Sequence, residues 1–277
     1  MTKRKDTLSE SLQRWGAKAV PFSDTAGIFM TPAGEEALER LDEIAALRST
    51  MVLQGENGVG KSQLVRHWLS TLEPKRFRSV VITHSTLSGT GLMTSLLQKL
   101  GCTAHHQRSR NLATLEDAVV RMERQIPVVV LDEAQLYAAE ALEEVRLLLG
   151  LSMPVQPLFA LILVGDNYLL ESLRLQHRKA LYSRIACTVE LGGLRGDEVP
   201  GYIAHQLAAV GIDRPCFDDA ALQLLVAAAE GIPRTLNLVA RAAWLLAAGA
   251  SRDMIGPDHV RAAIRRVPGA CDKLSAE

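Results

Sequence analysis

Apolar residues in this chain fall into two patterns. Some form short unbroken blocks, and others recur every three or four positions. Five blocks read as strands: Thr50–Gln54, Arg78–Thr83, Pro127–Asp132, Leu158–Val164 and Ala186–Leu191. Continuous apolar strands suit a sheet covered on both faces, and helices between them make that sheet parallel. The helical spacing covers Lys61–Leu72, Gly89–Leu100, Leu112–Arg124, Ala138–Leu149 and Leu169–Ser183, with a polar loop at Gly101–Arg110. An earlier helix opens at Thr31-Pro32-Ala33-Gly34-Glu35-Glu36 and runs to about Leu47. Its threonine cap, first-turn proline and early acids are all start signals.

From about Gly193 the strand signal stops. Glu198–Val210, Asp218–Ala229, Arg234–Ala248 and Pro257–Arg266 all read as helices. The change of period places a boundary in Gly192-Gly193-Leu194-Arg195-Gly196-Asp197. The expected division is an N-terminal extension over 1–25, an α/β domain over 26–192, a helical domain over 193–267 and a tail over 268–277. The extension reads as a mobile lead-in. Its Leu8, Leu12 and Trp15 have helical spacing and could dock on the body or on a neighbour.

Composition changes this picture little. The 277 residues are 48% hydrophobic but only 4% aromatic, so the core must be aliphatic. Basic and acidic side chains number 31 each, which excludes a globally basic field. Any DNA contact would come from a local patch or from many subunits side by side. Cys102, Cys187, Cys216 and Cys271 are far apart and form no CxxC pair; they read as free thiols in a reducing cytoplasm. No apolar run approaches the roughly 20 residues needed to span a bilayer.

The chemistry begins at the end of the first strand. Gly55-Glu56-Asn57-Gly58-Val59-Gly60-Lys61-Ser62 has the spacing GxxxxGKS. Its glycines let backbone N–H groups wrap phosphates, Lys61 reaches the terminal phosphates, and the Ser62 hydroxyl ligates Mg²⁺. Gln63 follows on the helix that opens there. That pattern points to ATP with Mg²⁺. At the third strand, Val128-Val129-Val130-Leu131-Asp132-Glu133 ends an apolar run in two acids. Asp132 is expected to hold the magnesium and Glu133 to activate water as general base. At the fourth strand, either Asp166 or Asn167 could orient water near the γ-phosphate. Arg184, just before the fifth strand, could reach a neighbouring subunit's nucleotide, with Arg174 and Arg178 as competitors. Arg234, in Gly231-Ile232-Pro233-Arg234, opens a helix and can point back across the nucleotide.

Taken together, the GxxxxGKS loop, Val129 to Gln135 (VVLDEAQ), Ile162 to Asn167 (ILVGDN), Ser183-Arg184-Ile185 and Gly231 to Ala243 (GIPRTLNLVARAA) resemble the ExeA/GspA-type AAA+ ATPases. That group is close to the transposition ATPases TnsC, TniB and MuB. The resemblance covers roughly residues 20 to 267. It implies an αβα sandwich with a five-stranded parallel sheet in the order 5-1-4-3-2, plus a small C-terminal helical lid domain. It also implies a homo-oligomer, ring or filament, with ATP between subunits, Arg184 as a finger in trans and Arg234 as the lid sensor. Where related chains often carry GQPEL, this one has Gly165-Asp166-Asn167-Tyr168-Leu169.

Two functions follow as expectations. The first is a cytoplasmic ATPase that assembles with ATP on duplex DNA and regulates a transposase, without reading sequence. Lys99, Arg108 and Arg110 around the polar loop, and Lys75 and Arg76 before the second strand, are the candidate phosphate contacts. The second is an ATPase acting on a secretion or envelope-assembly partner, without membrane insertion of its own.

Overall fold

In the computed structural model, which describes residues 3–23, 26–83, 87–122, 124–151 and 156–270, the five apolar blocks pair into one parallel sheet. The strands are β1 (Thr50–Gln54), β2 (Phe77–Ile82), β3 (Ile126–Leu131), β4 (Ala160–Gly165) and β5 (Ile185–Glu190), in the spatial order β2-β3-β4-β1-β5. This is the order the resemblance implies. The three inner strands are almost wholly buried, while the edge strand β5 alternates between half-buried and exposed. That difference is why unbroken apolar runs mark the inner strands.

The helices of this part are α2 (Pro32–Leu47), α3 (Lys61–Thr71), α4 (Gly89–Lys99), α5 (Arg108–Arg121), α6 (Ala139–Leu148), α7 (Leu169–Arg174) and α8 (Lys179–Tyr182), preceded in the chain by α1 (Lys3–Trp15). Alternate strand residues separate the two faces. Val52, Val129, Leu131, Leu161 and Leu163 pack with Leu96, Leu115 and Val145 from α4, α5 and α6. The opposite face is crossed by α2, with α3 beside it. The Trp68 indole N–H donates to Asp42 Oδ1 at 2.7 Å and ties α3 to α2.

The chain divides into two compact units. One comprises Pro32–Asn57 and Lys61–Leu191; the other takes the N-terminal segment to Thr31, the loop residues Gly58–Gly60 and everything from Gly192 onward. The second unit holds α9 (Val199–Ala208), α10 (Asp219–Ala229), α11 (Pro233–Gly249) and α12 (Pro257–Ile264) around its own core. Asp218 caps α10 by accepting the Ala221 N–H at 2.7 Å.

The N-terminal segment is not a loose lead-in. Trp15 and Phe22 are both 2% exposed. Trp15 meets Trp244 of α11 with ring centroids 5.8 Å apart, and Phe22 meets Phe217 edge-on at 5.9 Å. The Lys18 N–H donates to the Val210 carbonyl at 2.8 Å. Removing a large buried aromatic typically costs ~3–5 kcal/mol, enough to hold the segment in place.

Two other expectations change. Helix α5 begins at Arg108, so Arg108 and Arg110 stand in its first turn and not in a loop. The stretch read as one helix from Leu169 breaks at Leu175, where ψ is 145°, and passes through a 3₁₀ turn into α8. Neither glycine nor proline marks that break. Cys271 and residues 271–277 of the expected tail lie outside the described residues.

Cys102, Cys187 and Cys216 are free thiols. Cys216 is 1% exposed, and burial pushes its thiol up to about 11 against the lowering effect of Arg214. At pH 8 an aromatic disulfide reagent should label the half-buried Cys102 and Cys187 well before Cys216. Equal labelling rates measured on single-cysteine variants would contradict this burial.

Candidate nucleotide site

Strand β1 ends at Gln54, and the chain turns through Gly55–Gly60 before α3 begins. Gly58 and Gly60 have φ of 98° and 106°, a region where a side chain is strained. The turn folds back on the Lys61 side chain, which is 8% exposed. Its Nζ donates to the carbonyls of Gly55 at 2.8 Å and Glu56 at 3.0 Å. A buried ammonium therefore sits inside the loop at the N-terminus of α3, where the helix dipole adds positive potential.

Ser62 Oγ, next on α3, donates to Asp132 Oδ2 at 3.0 Å and Oδ1 at 3.3 Å. Asp132 follows the last residue of β3. The hydrogen bond joins two segments far apart in the sequence, because β1 and β3 flank β4. Glu133 then adopts φ 53° and ψ 44°, a left-handed conformation unusual for a residue with a side chain. Its N–H donates to Asp132 Oδ1 at 3.1 Å. The chain continues as a 3₁₀ turn over Ala134–Leu136. Gln135 Nε2 donates to Glu133 Oε2 at 2.8 Å, and Gln135 Oε1 accepts the Asp166 N–H at 3.3 Å.

Tyr137 anchors this turn. Its hydroxyl donates to the Ile82 carbonyl at 3.1 Å, the same carbonyl that accepts the Asp132 N–H at 3.0 Å. Burial, and secondarily the Asp132 charge, push the phenol up to about 12.

The remaining expected residues are placed as follows. Glu56, Asn57 and Gln63 are exposed around the loop, and Val59 is buried. Asp166 closes a turn with its own carboxylate, Oδ1 accepting the Tyr168 N–H at 3.0 Å, and Asn167 is exposed. Arg184 is half-buried and donates to the Arg146 carbonyl; among the described residues no bond joins it to the Lys61–Ser62–Asp132 group. Arg234 opens α11 within the helical unit. Its N–H donates to the Gly58 carbonyl of that unit at 3.2 Å, and its side chain is exposed. Lys75, Arg76, Lys99 and Arg110 are exposed. Arg108 is engaged: its Nη2 and Nε donate to Glu144 Oε2 at 3.1 and 3.2 Å, with the Glu144 side chain only 11% exposed. It compensates a largely buried carboxylate, while its own side chain stays 46% exposed.

Sequence reading missed Tyr137 and left Gln135 without a role. Tyr137 carries no local signal beyond being a tyrosine just past the acids. Gln135 ends the VVLDEAQ stretch, but its partners become visible only when β3 and β4 are side by side.

The donor set fits a magnesium-bound polyphosphate. A hydroxyl and a carboxylate supply the hard oxygens Mg²⁺ prefers, and the curved loop with its ammonium suits phosphate. A sheet of this order, with this loop after β1 and paired acids after β3, is the AAA+ P-loop fold. Residues 45–173 match the family model described as an AAA domain.

Over 271 residues the chain is 27% identical to general secretion pathway protein A of Aeromonas hydrophila, covering 94% of this chain and 49% of that protein. It thus spans about half the length of this curated relative. Its fold is similar to the ORC2 protein of Aeropyrum pernix in ADPNP-ADP complexes (TM-score 0.67, 16% identity, 92% of this chain and 73% of that one). It is also similar to the ORC1 protein of the same organism in complex with DNA (TM-score 0.60, 17% identity, 86% and 69%).

Tyr137→Phe should destabilise the protein by about 1 kcal/mol at pH 8, read by denaturant melts. Because the folded phenol lies above its ordinary value of 10.0, its contribution is complete below pH 10 and is lost as pH rises towards 12. The variant should therefore lose less stability than wild type across that interval. A parallel decline in both proteins would remove Tyr137 as the cause.

Proposed function

We propose that this protein binds ATP with Mg²⁺ and hydrolyses it, using the cycle to switch its hold on a partner. The observation that carries the reading is the Ser62–Asp132 hydroxyl–carboxylate pair beside the loop-bound ammonium of Lys61. In this reading Lys61 holds the terminal phosphates, and Ser62 with Asp132 holds the metal. Bound Mg²⁺ would neutralise charge developing on the phosphates. Glu133 accepts the proton of the attacking water. Arg184 of a neighbouring copy would be the trans cation, and Arg234 would couple the helical unit to phosphate state.

For the partner, similarity to general secretion pathway protein A across 94% of the chain favours a secretion or envelope-assembly component. Among the described residues no helix is long and apolar enough to cross a membrane. Duplex DNA is the second reading. It is supported by exposed Lys75, Arg76, Lys99 and Arg110, and by a DNA complex among similar folds. Control of a transposase rests on the sequence resemblance alone.

Lys61→Ala should abolish binding of a fluorescent ATP analogue. Glu133→Gln should keep binding and lose roughly 10²–10⁴-fold in turnover. Turnover by Glu133→Gln at the wild-type rate would reject Glu133 as the base. The ATPase rate with and without duplex DNA at low salt separates the partners. Stimulation that Lys75→Glu and Arg76→Glu together weaken favours DNA. Indifference to DNA, with co-sedimentation on envelope fractions, favours the first partner.

A further inference from the structure

Resting on the hydrolysis reading, the geometry points to Gln135 as a positioning residue. Its side-chain amide fastens the Glu133 carboxylate to the tip of β4.

Glu133 has little else to hold it. It is exposed, its backbone is left-handed, and among the described residues the Gln135 amide is the one hydrogen-bond donor to its carboxylate. The other end of the same amide is also used, since Oε1 accepts the Asp166 N–H. Only one orientation of the amide serves both partners: the NH₂ must face the carboxylate and the oxygen must face the N–H. A Cβ on Gly165 would lie 2.6 Å from Gln135 Oε1 and 2.7 Å from a Leu169 methyl carbon, so glycine at the end of β4 leaves room for both side chains.

Asp166 meets this network through its backbone: its N–H donates to Gln135, while its Oδ1 accepts the Tyr168 N–H. The link from β4 to the acids of β3 therefore runs through a side chain of β3's own turn. Any shift at the tip of β4 moves the Gln135 amide and, with it, the Glu133 carboxylate. Gln135 needs no contact with nucleotide to do this, so its loss belongs in turnover and not in affinity.

The test compares wild type, Gln135→Ala, Gln135→Glu and Gly165→Ala, with Glu133→Gln as the turnover reference. Gln135→Ala should lower kcat by about 10- to 100-fold, a size common for groups that orient a reacting residue. Its Kd for a fluorescent ATP analogue should stay within about twofold of wild type. Gln135→Glu keeps the volume but turns the donor into a second carboxylate, so its kcat should fall at least as far. If Gly165→Ala acts by evicting the amide, its effect on kcat should largely vanish in a Gln135→Ala background, although its cost in stability persists. A readout without nucleotide completes the set: Asp166 N–H exchange with solvent should speed up in Gln135→Ala.

Wild-type turnover with Gln135→Ala matching it in kcat, or unchanged Asp166 exchange, would overturn the assignment and leave the hydrolysis reading intact. A wild type that binds the analogue but turns over no ATP would sink the hydrolysis reading, and this inference with it.

Discussion

Strand β4 lies between β1 and β3, paired in parallel with both, and that placement governs which side chains can meet. Leu53 pairs with Val164 and Gln54 with Gly165, while Leu131 pairs with Leu163. The three strands thus end at nearly the same level. The loop after β1 and the acids after β3 emerge on either side of the β4 tip. The Ser62–Asp132 hydrogen bond spans this gap at 3.0 Å. A slip of one residue in either pairing would turn each strand's side chains to the opposite face and remove Asp132 from reach. Fully buried aliphatic side chains on all three strands hold the register.

Much of this was legible in the sequence because it is locally encoded. Five apolar blocks, the GxxxxGKS spacing and the acids ending the third block each declare themselves within a few residues. The order of strands came from resemblance and not from the pattern of residues. What stayed hidden was what depends on distant partners. Arg108 looked like one of a basic cluster, yet Glu144 on α6 claims it. The break at Leu175 has no glycine or proline to announce it. Gln135 and Gly165 are a matched pair only once β3 and β4 are adjacent. Tyr137 acquires meaning from Ile82, at the end of another strand.

The acids sit on an unusual piece of backbone. Glu133 is left-handed, and of order 1–3 kcal/mol is typically needed to hold such a conformation. Compensation comes from the Asp132 carboxylate accepting the Glu133 N–H, and from the Tyr137 hydroxyl closing the turn behind it. Together these bonds fix the direction in which the Glu133 side chain leaves the chain. The geometry of one exposed carboxylate therefore depends on buried groups at the ends of β2, β3 and β4.

The helical unit is discontinuous in sequence, and this bears on how the chain comes together. Trp15 waits for Trp244, and Phe22 waits for Phe217. During vectorial synthesis the sheet unit, whose pairings lie within one continuous stretch apart from the loop tip, can close first. The helical unit cannot complete its core until the opening segment finds helices made long afterwards. Contacts of such wide sequence separation form slowly, because loop-closure entropy must be overcome before they stabilise anything. The aromatic side chains of Trp15 and Phe22 thus lack these partners until Phe217 and Trp244 have been made. Folding of the two units is ordered in time by the route the chain takes through them.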